Sequence, residues 1–280
     1  MSDYKKIIII GAPRSGTNML RDILTSFDGL DTWPCDEINY IWRHGNLFYP
    51  SDEFNESLAT AYVKKYINKK FDLLQKKSNS KIIVEKTCAN SLRVPFVDKV
   101  LPDARYIFIY RDGIDAISSA KKRWRAKLDI PYILKKARYV PISDLPFYAL
   151  NYIWSRIYLL FSKNKRLAFW GPKLRDMHSL LQIHTLNQIC AIQWKKCTEY
   201  SRQAFSKMPK SKFCSVKYED FVNDPYSELK KIIDFIGINI DEDLLIKSVK
   251  DVSSSSINKG KEELGASETK ALKDFLLKIS

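Results

Sequence analysis

"IIIIGAPRSGTNML", residues 7–20, joins four consecutive isoleucines to a loop of small residues that holds one arginine. A β-branched run without polar alternation reads as a strand covered on both faces, the habit of a parallel sheet. Gly11 and Gly16 have the G-x-x-x-x-G spacing of a phosphate-binding loop between a strand and a helix. In such a loop, free backbone N–H groups and the helix dipole attract an anion. The Lys-Ser/Thr that completes a nucleoside-triphosphate loop is missing, because positions 17 and 18 are Thr and Asn. The cation sits inside the loop instead, as Arg14. Taken alone, the pattern also suits a plain Gly-rich turn that closes a strand.

Three further stretches repeat the strand pattern: "KIIVEK" (81–86), "RYIFIYR" (105–111) and "KFCSVKYE" (212–219). Helices are expected after them and after the first run, over 15–27, 90–100, 112–123 and 224–237. The last has Pro225 at its start and Gly237 at its end. This alternation predicts an α/β fold, a parallel sheet flanked by helices. The region from about 121 to 205 breaks the alternation with Trp, Tyr, Lys and Arg in long segments and prolines at 131, 141, 146 and 172. It reads as a helical insertion or cap on a single domain that spans 1–280.

The chain has 47 Lys and Arg against 32 Asp and Glu, a net charge of +15 that favours an anionic partner. Five cysteines, odd in number and without a C-x-x-C pair, suggest neither a zinc site nor a disulfide framework, so a reduced, cytoplasmic setting is expected. The opening "MSDYKK" leads into an apolar run too short to span a membrane and without a signal-peptide pattern. Oligomeric state is left open by these features.

"GAPRSGTNML" resembles the 5′-phosphosulfate loop of sulfotransferases that use 3′-phosphoadenosine 5′-phosphosulfate (PAPS), which carry P-(R/K)-(S/G)-G-T here. "YRDGIDAISS" (110–119) is similar to the family's 3′-phosphate segment, a strand-end Arg followed eight residues later by Ser, here Arg111 and Ser119. Gly113 stands where the family often has Pro. "VKYEDFVNDPYSELKKIIDFIGI" (216–238) looks like the family's strand and helix after the cap. "SSSSINKGK" (253–261) resembles the late loop that folds over the nucleotide, with Lys259 and Lys261 as candidate contacts.

The resemblance implies a P-loop sulfotransferase fold, PAPS as co-substrate, and no required metal. It implies a leaving-phosphate clamp of Arg14 with donors from Ser15, Gly16, Thr17 and Asn18. Lys86 in "EKTCAN" is similar to a lysine near the transferred group in glycan-type and tyrosyl-type members. Those members use a Glu about two dozen residues after the loop cation, and Glu37 in "TWPCDEINYIW" (32–42) lies 23 residues after Arg14. A carboxylate near the acceptor can serve as general base. Asp36 ranks second, since in an extended segment it points the other way. His44 is the alternative base, by analogy with small-molecule members, and His178 and His184 lie in or near the cap. Glu85 alternates to the face opposite Lys86, where it is expected to pair with a cation.

Between 121 and 138 there are eight Lys or Arg and one Asp, interleaved with Trp124 and Tyr132. That mixture suits an anionic glycan acceptor and equally an exposed basic helix face. The function expected is therefore sulfuryl transfer to an acceptor hydroxyl, in a sugar or polysaccharide. Nucleic acid is not expected as a partner. The competing classes are a P-loop nucleoside kinase or NTPase and a basic nucleic-acid binding protein.

Overall fold

The computed structural model describes residues 4–125, 137–150, 153–154 and 169–279. Five strands, β1 (Lys5–Ile10), β2 (Leu30–Asp31), β3 (Ile82–Lys86), β4 (Arg105–Tyr110) and β5 (Phe213–Lys217), form one sheet in the order β2-β3-β1-β4-β5. Every pairing is parallel, with Ile9 opposite Lys86 and Ile10 opposite Phe108.

The isoleucine run is covered on both faces, as its lack of alternation predicts. Ile7 and Ile9 enter one apolar cluster and Ile8 and Ile10 the other, and none of the four is exposed. Around the sheet lie helices α1 (Thr17–Leu24), α2 (Asn39–Arg43), α3 (Ala61–Ser78), α4 (Val94–Val100), α5 (Gly113–Trp124), α6 (Met177–Ile183), α7 (Leu186–Ser206), α8 (Tyr218–Asn223), α9 (Pro225–Ile236), α10 (Glu242–Val249) and α11 (Lys259–Lys278). A third cluster joins α5, α7 and α11 through Ile117, Trp124, Ile189, Cys190 and Leu272. Leu186–Ser206, the last part of the region read as a cap, is thus packed into the body of the domain.

Several expected boundaries shift for local reasons. The helix after β1 begins at Thr17, because Arg14 (φ 72°) and Gly16 (φ 89°) take left-handed conformations that a helix excludes. The expected helix over 90–100 splits into a 3-10 turn, Cys88–Leu92, and then α4, with a proline in its first turn. β5 stops at Lys217, where the chain turns into α8. By contrast α5 has Asp112 as its N-cap, and α9 runs from Pro225 to a left-handed Gly237, close to the expected bounds. α3 escapes the sequence reading because only Val63, Ile67 and Phe71 are buried in eighteen mostly polar positions.

Candidate functional site

The loop after β1 and the segments after β3, β4 and β5 all leave the carboxyl edge of the sheet, where open parallel sheets bind ligands. There they enclose a cavity of about 630 Å³. Arg14, Gly16, Thr17, Asn18, Glu37, Lys86, Arg111, Ser119 and Lys259 all border it. The sequence scatters these side chains over more than 240 positions, and the crossovers bring them to one edge.

Two of the expected phosphate segments touch directly. Arg14 Nε donates to Ser119 Oγ at 2.8 Å, and Arg111 Nη1 donates to the Arg14 carbonyl at 3.2 Å. Arg14 is exposed, yet it stands in a concavity, and its guanidinium pKa is lowered by loss of water and then by Arg123 and Arg111. Cations that repel one another around a common space gain when an anion enters it. Among the buried donors without a partner in the described residues are Arg111 Nε, on a residue that borders the cavity, and Ser15 Oγ, on a loop residue that does not. A buried donor left unpaired beside a cavity is free to meet a ligand there.

Arg111 also fastens the late loop. Its Nη2 donates to the Ser256 carbonyl at 2.6 Å, and its guanidinium lies 4.2 Å from the centre of the Tyr218 ring. Asp115, one turn on in α5, accepts from Asn258 N at 2.9 Å and Gly260 N at 2.7 Å. Gly260 must be glycine: a Cβ there would stand 2.6 Å from the Ile114 carbonyl oxygen. Lys259 and Lys261 belong to the first turn of α11 rather than to an open loop. Lys259 borders the cavity, whereas Lys261 is exposed, bonds to Asn258 Oδ1 at 2.7 Å and is not among the bordering residues. Asp115 and Tyr218 are missed by the motif reading, because their partners are distant in sequence, from 38 to 145 positions away.

On another wall, Lys86 Nζ donates to Glu37 Oε1 at 3.0 Å, and the Cys88 N–H reaches the same oxygen at 3.3 Å. Burial opposes the Lys86 charge, but the Glu37 carboxylate outweighs it, and the ammonium pKa is raised. Asp36 does not point elsewhere: the chain bends at 34–36 instead of extending, so Asp36 also borders the cavity, with its carboxylate 3.8 Å from Arg21. His44 lies outside. The end of α2 carries it to Asp144 (Nδ1 to Oδ2, 2.9 Å) and Tyr62 (Nε2 to OH, 2.7 Å). His178 and His184 do not border the cavity either. Of the basic stretch 121–138, residues 126–136 lie outside the described residues, Tyr132 among them, while Lys122 and Arg123 border the cavity.

Glu85 corrects the expected cation pairing. It is fully buried, and its two oxygens accept from neutral partners, Thr87 Oγ1 at 2.5 Å and Asn90 Nδ2 at 3.0 Å. Burial pushes its carboxyl up to about 7, against the opposing pull of Thr87. Because the folded chain holds this proton more tightly than the unfolded one, the contribution to stability is full below about pH 4.5 and is lost as pH rises through about 7. Glu85→Gln lacks that titration. Between about pH 5 and about pH 8, urea unfolding should show the wild type losing on the order of 3 kcal/mol relative to the variant.

Among the described residues, no group of three or more His, Cys, Asp or Glu is placed to hold a metal, and no helix is long and apolar enough to cross a membrane.

The family model described as "Sulfotransferase domain" matches residues 4–271. Similar solved structures include the sulfotransferase domain from the curacin biosynthetic pathway, 14% identical, covering 98% of this chain and 97% of that one with a TM-score of 0.56. The sulfotransferase domain from the Synechococcus PCC 7002 olefin synthase is 16% identical, covering 100% and 90%, with a TM-score of 0.52. Sulfotransferase STF9 from Mycobacterium avium is 12% identical, covering 98% and 77%, also with a TM-score of 0.52. At these identities the likeness is one of fold. A search of curated protein sequences returns no match.

Proposed function

Because the chain belongs to the sulfotransferase domain family, we propose that its cavity binds PAPS and passes the sulfuryl group to an acceptor hydroxyl of a sugar or polysaccharide, with Glu37 as general base. The observation that carries this reading is that Arg14, Arg111 and Ser119, from two segments, meet within hydrogen-bond reach at one cavity, where the buried Arg111 Nε has no partner among the described residues. The two segments fit a ligand with two separate anionic groups.

Bound PAPS supplies a sulfuryl group joined to a phosphate leaving oxygen. Arg14, with Ser15, Gly16, Thr17 and Asn18, holds that phosphate and takes up the charge left when its bond to sulfur opens. Arg111, Ser119 and Lys259 hold the 3′-phosphate. Lys261 is left out of these contacts, since it does not border the cavity. Lys86 stands beside the transferred group. Glu37 accepts the hydroxyl proton as the acceptor oxygen bonds to sulfur. Alignment of the reacting groups supplies most of the remaining rate.

The sugar acceptor is supported by the rest of the lining, where Trp170, Asn39 and Asp36 combine an aromatic wall with hydrogen-bonding groups. Arg123 favours an acceptor that carries negative charge, whereas the Lys122 charge is already met by Glu263. The same reading treats 1–280 as one domain whose cap, expected over about 121–205, stops short of Leu186–Ser206, which packs into the body. Its five free cysteines fit a cytoplasmic setting.

Calorimetry tests the nucleotide assignment. The protein should prefer 3′-phosphoadenosine 5′-phosphate (PAP) to AMP, and Arg111→Ala should reduce that preference by about tenfold or more, since a charge-assisted hydrogen bond is worth about 1.5 to 3 kcal/mol. Equal binding of PAP and AMP by the wild type would sink the assignment. A labelled-sulfate assay on neutral and acidic oligosaccharides, with phenols as controls, tests the acceptor class; transfer to phenols alone would count against a sugar.

A further inference from the structure

Behind the wall that carries Glu37 lies a buried polar chain that touches no reacting atom. Thr87 Oγ1 donates its one proton to Glu85 and accepts the backbone N–H of Ile38 at 3.2 Å. Asn90 Nδ2 donates to the other Glu85 oxygen, so Asn90 presents its Oδ1 to Arg93 Nε at 2.9 Å. Arg93 Nη2 in turn donates to Asn39 Oδ1 at 2.5 Å, and Asn39 Nδ2 donates to Asp52 Oδ1 at 3.3 Å. The two branches leave one carboxylate and end on the residues that follow Glu37, at 38 and 39. Glu85, Thr87, Asn90 and Arg93 are all buried.

The bond directions in this chain are set at one end by Glu85 and at the other by Arg93, which can only donate and so turns the Asn90 amide nitrogen towards Glu85. Once ionised, above about pH 7, the Glu85 carboxylate only accepts, so Thr87 donates to it, which leaves the Thr87 lone pairs for Ile38. The same logic turns the Asn90 amide so that its oxygen faces Arg93. We propose that Glu85 is a positioning residue for Glu37: through Thr87, and through Asn90 and Arg93, it holds residues 37–39 so that the Glu37 carboxylate keeps a single orientation in the cavity. This rests on the reading of Glu37 as the base. A glutamine at 85 has one acceptor oxygen instead of two, and one branch must then reverse or lose its partner. Register adds to the coupling, since Glu85 and Lys86 are successive residues of β3 and Lys86 grips Glu37 from the opposite face.

The test is a double-mutant cycle read in kcat, acceptor KM and PAP affinity. Glu85→Gln and Thr87→Val should each lower kcat about tenfold or more, with PAP affinity and acceptor KM changed by less than about twofold. Thr87→Ser keeps the hydroxyl and should restore kcat. In a Glu37→Gln background, Glu85→Gln should cause no further loss. If Glu85→Gln fails to fold, the Thr87→Val and Thr87→Ser pair, crossed with Glu37→Gln, carries the same comparison. Additive losses in the double variant, or normal kcat in folded Glu85→Gln and Thr87→Val, overturn the positioning role alone. Normal kcat in Glu37→Gln overturns the base assignment itself, and the positioning role with it.

Discussion

Replacing Glu37 with glutamine is expected to lower kcat by about 10² to 10⁴ while PAP affinity stays within about twofold. The substitution keeps size and one acceptor oxygen, so the Lys86 and Cys88 donors that reach Glu37 Oε1 can still be met. What it removes is the basic carboxylate that takes the acceptor proton. Because Glu37 borders the cavity on a different segment from the loop that carries Arg14, base and leaving-phosphate clamp should separate in the kinetics. Steady-state turnover with labelled donor, alongside PAP calorimetry, checks both halves of the expectation. A near-normal kcat cannot transfer the role to His44, whose two ring nitrogens are held by Asp144 and Tyr62 away from the cavity. It would point instead to Asp36, the other carboxylate on this wall.

Gly16→Ala should lower PAP affinity by at least about tenfold and destabilise the fold by about 2 to 5 kcal/mol. Part of the cost is the left-handed backbone at φ 89°, about 1 to 2 kcal/mol for a residue with a Cβ. The remainder is steric, since the new carbon would stand 2.5 and 2.8 Å from two Tyr218 ring atoms. Overpacking of that kind costs about 1 to 3 kcal/mol. The ring cannot yield alone: it lies against Arg111, and its hydroxyl bonds to Ser256 Oγ at 2.6 Å. A displaced Tyr218 therefore disturbs Arg111 and the late loop together. Thermal melts with and without PAP check this, and a full PAP-induced rise in Tm for the variant would contradict it.

Local chemistry explains what could be read in advance. The isoleucine run, the glycine spacing of the loop and the Pro225 and Gly237 ends of α9 each depend on a few neighbouring residues, and each lies close to its expected place. Arg14, Arg111 and Ser119 were legible as motifs, and the crossovers bring them within hydrogen-bond reach. The surroundings of Glu85 were not legible, because its acceptor roles arise only when the 3-10 turn after β3 folds Asn90 back beneath it. Asp36 escaped for a simpler reason: alternation assumes an extended chain, and this segment bends. His44 looked eligible by its nearness to Glu37 in sequence, yet its partner Asp144 lies a hundred positions on. Lys261 shows the same limit, since its place in the first turn of α11 leaves it outside the cavity lining.

The clamp of Asp115 on Asn258 and Gly260 has a consequence for the chain as it leaves the ribosome. The covering segment emerges more than two hundred residues after the glycine loop. At about 5 to 20 residues per second, that gap is roughly 10 to 50 s. Through most of it the central strand lacks β5 on the far edge of its sheet and has no nucleotide site to stabilise it. The co-substrate therefore cannot assist the early steps of folding. It can act only as a late stabiliser, and the nascent chain must protect its four isoleucines by pairing with β3 and β4 first, or by borrowing a chaperone until it does.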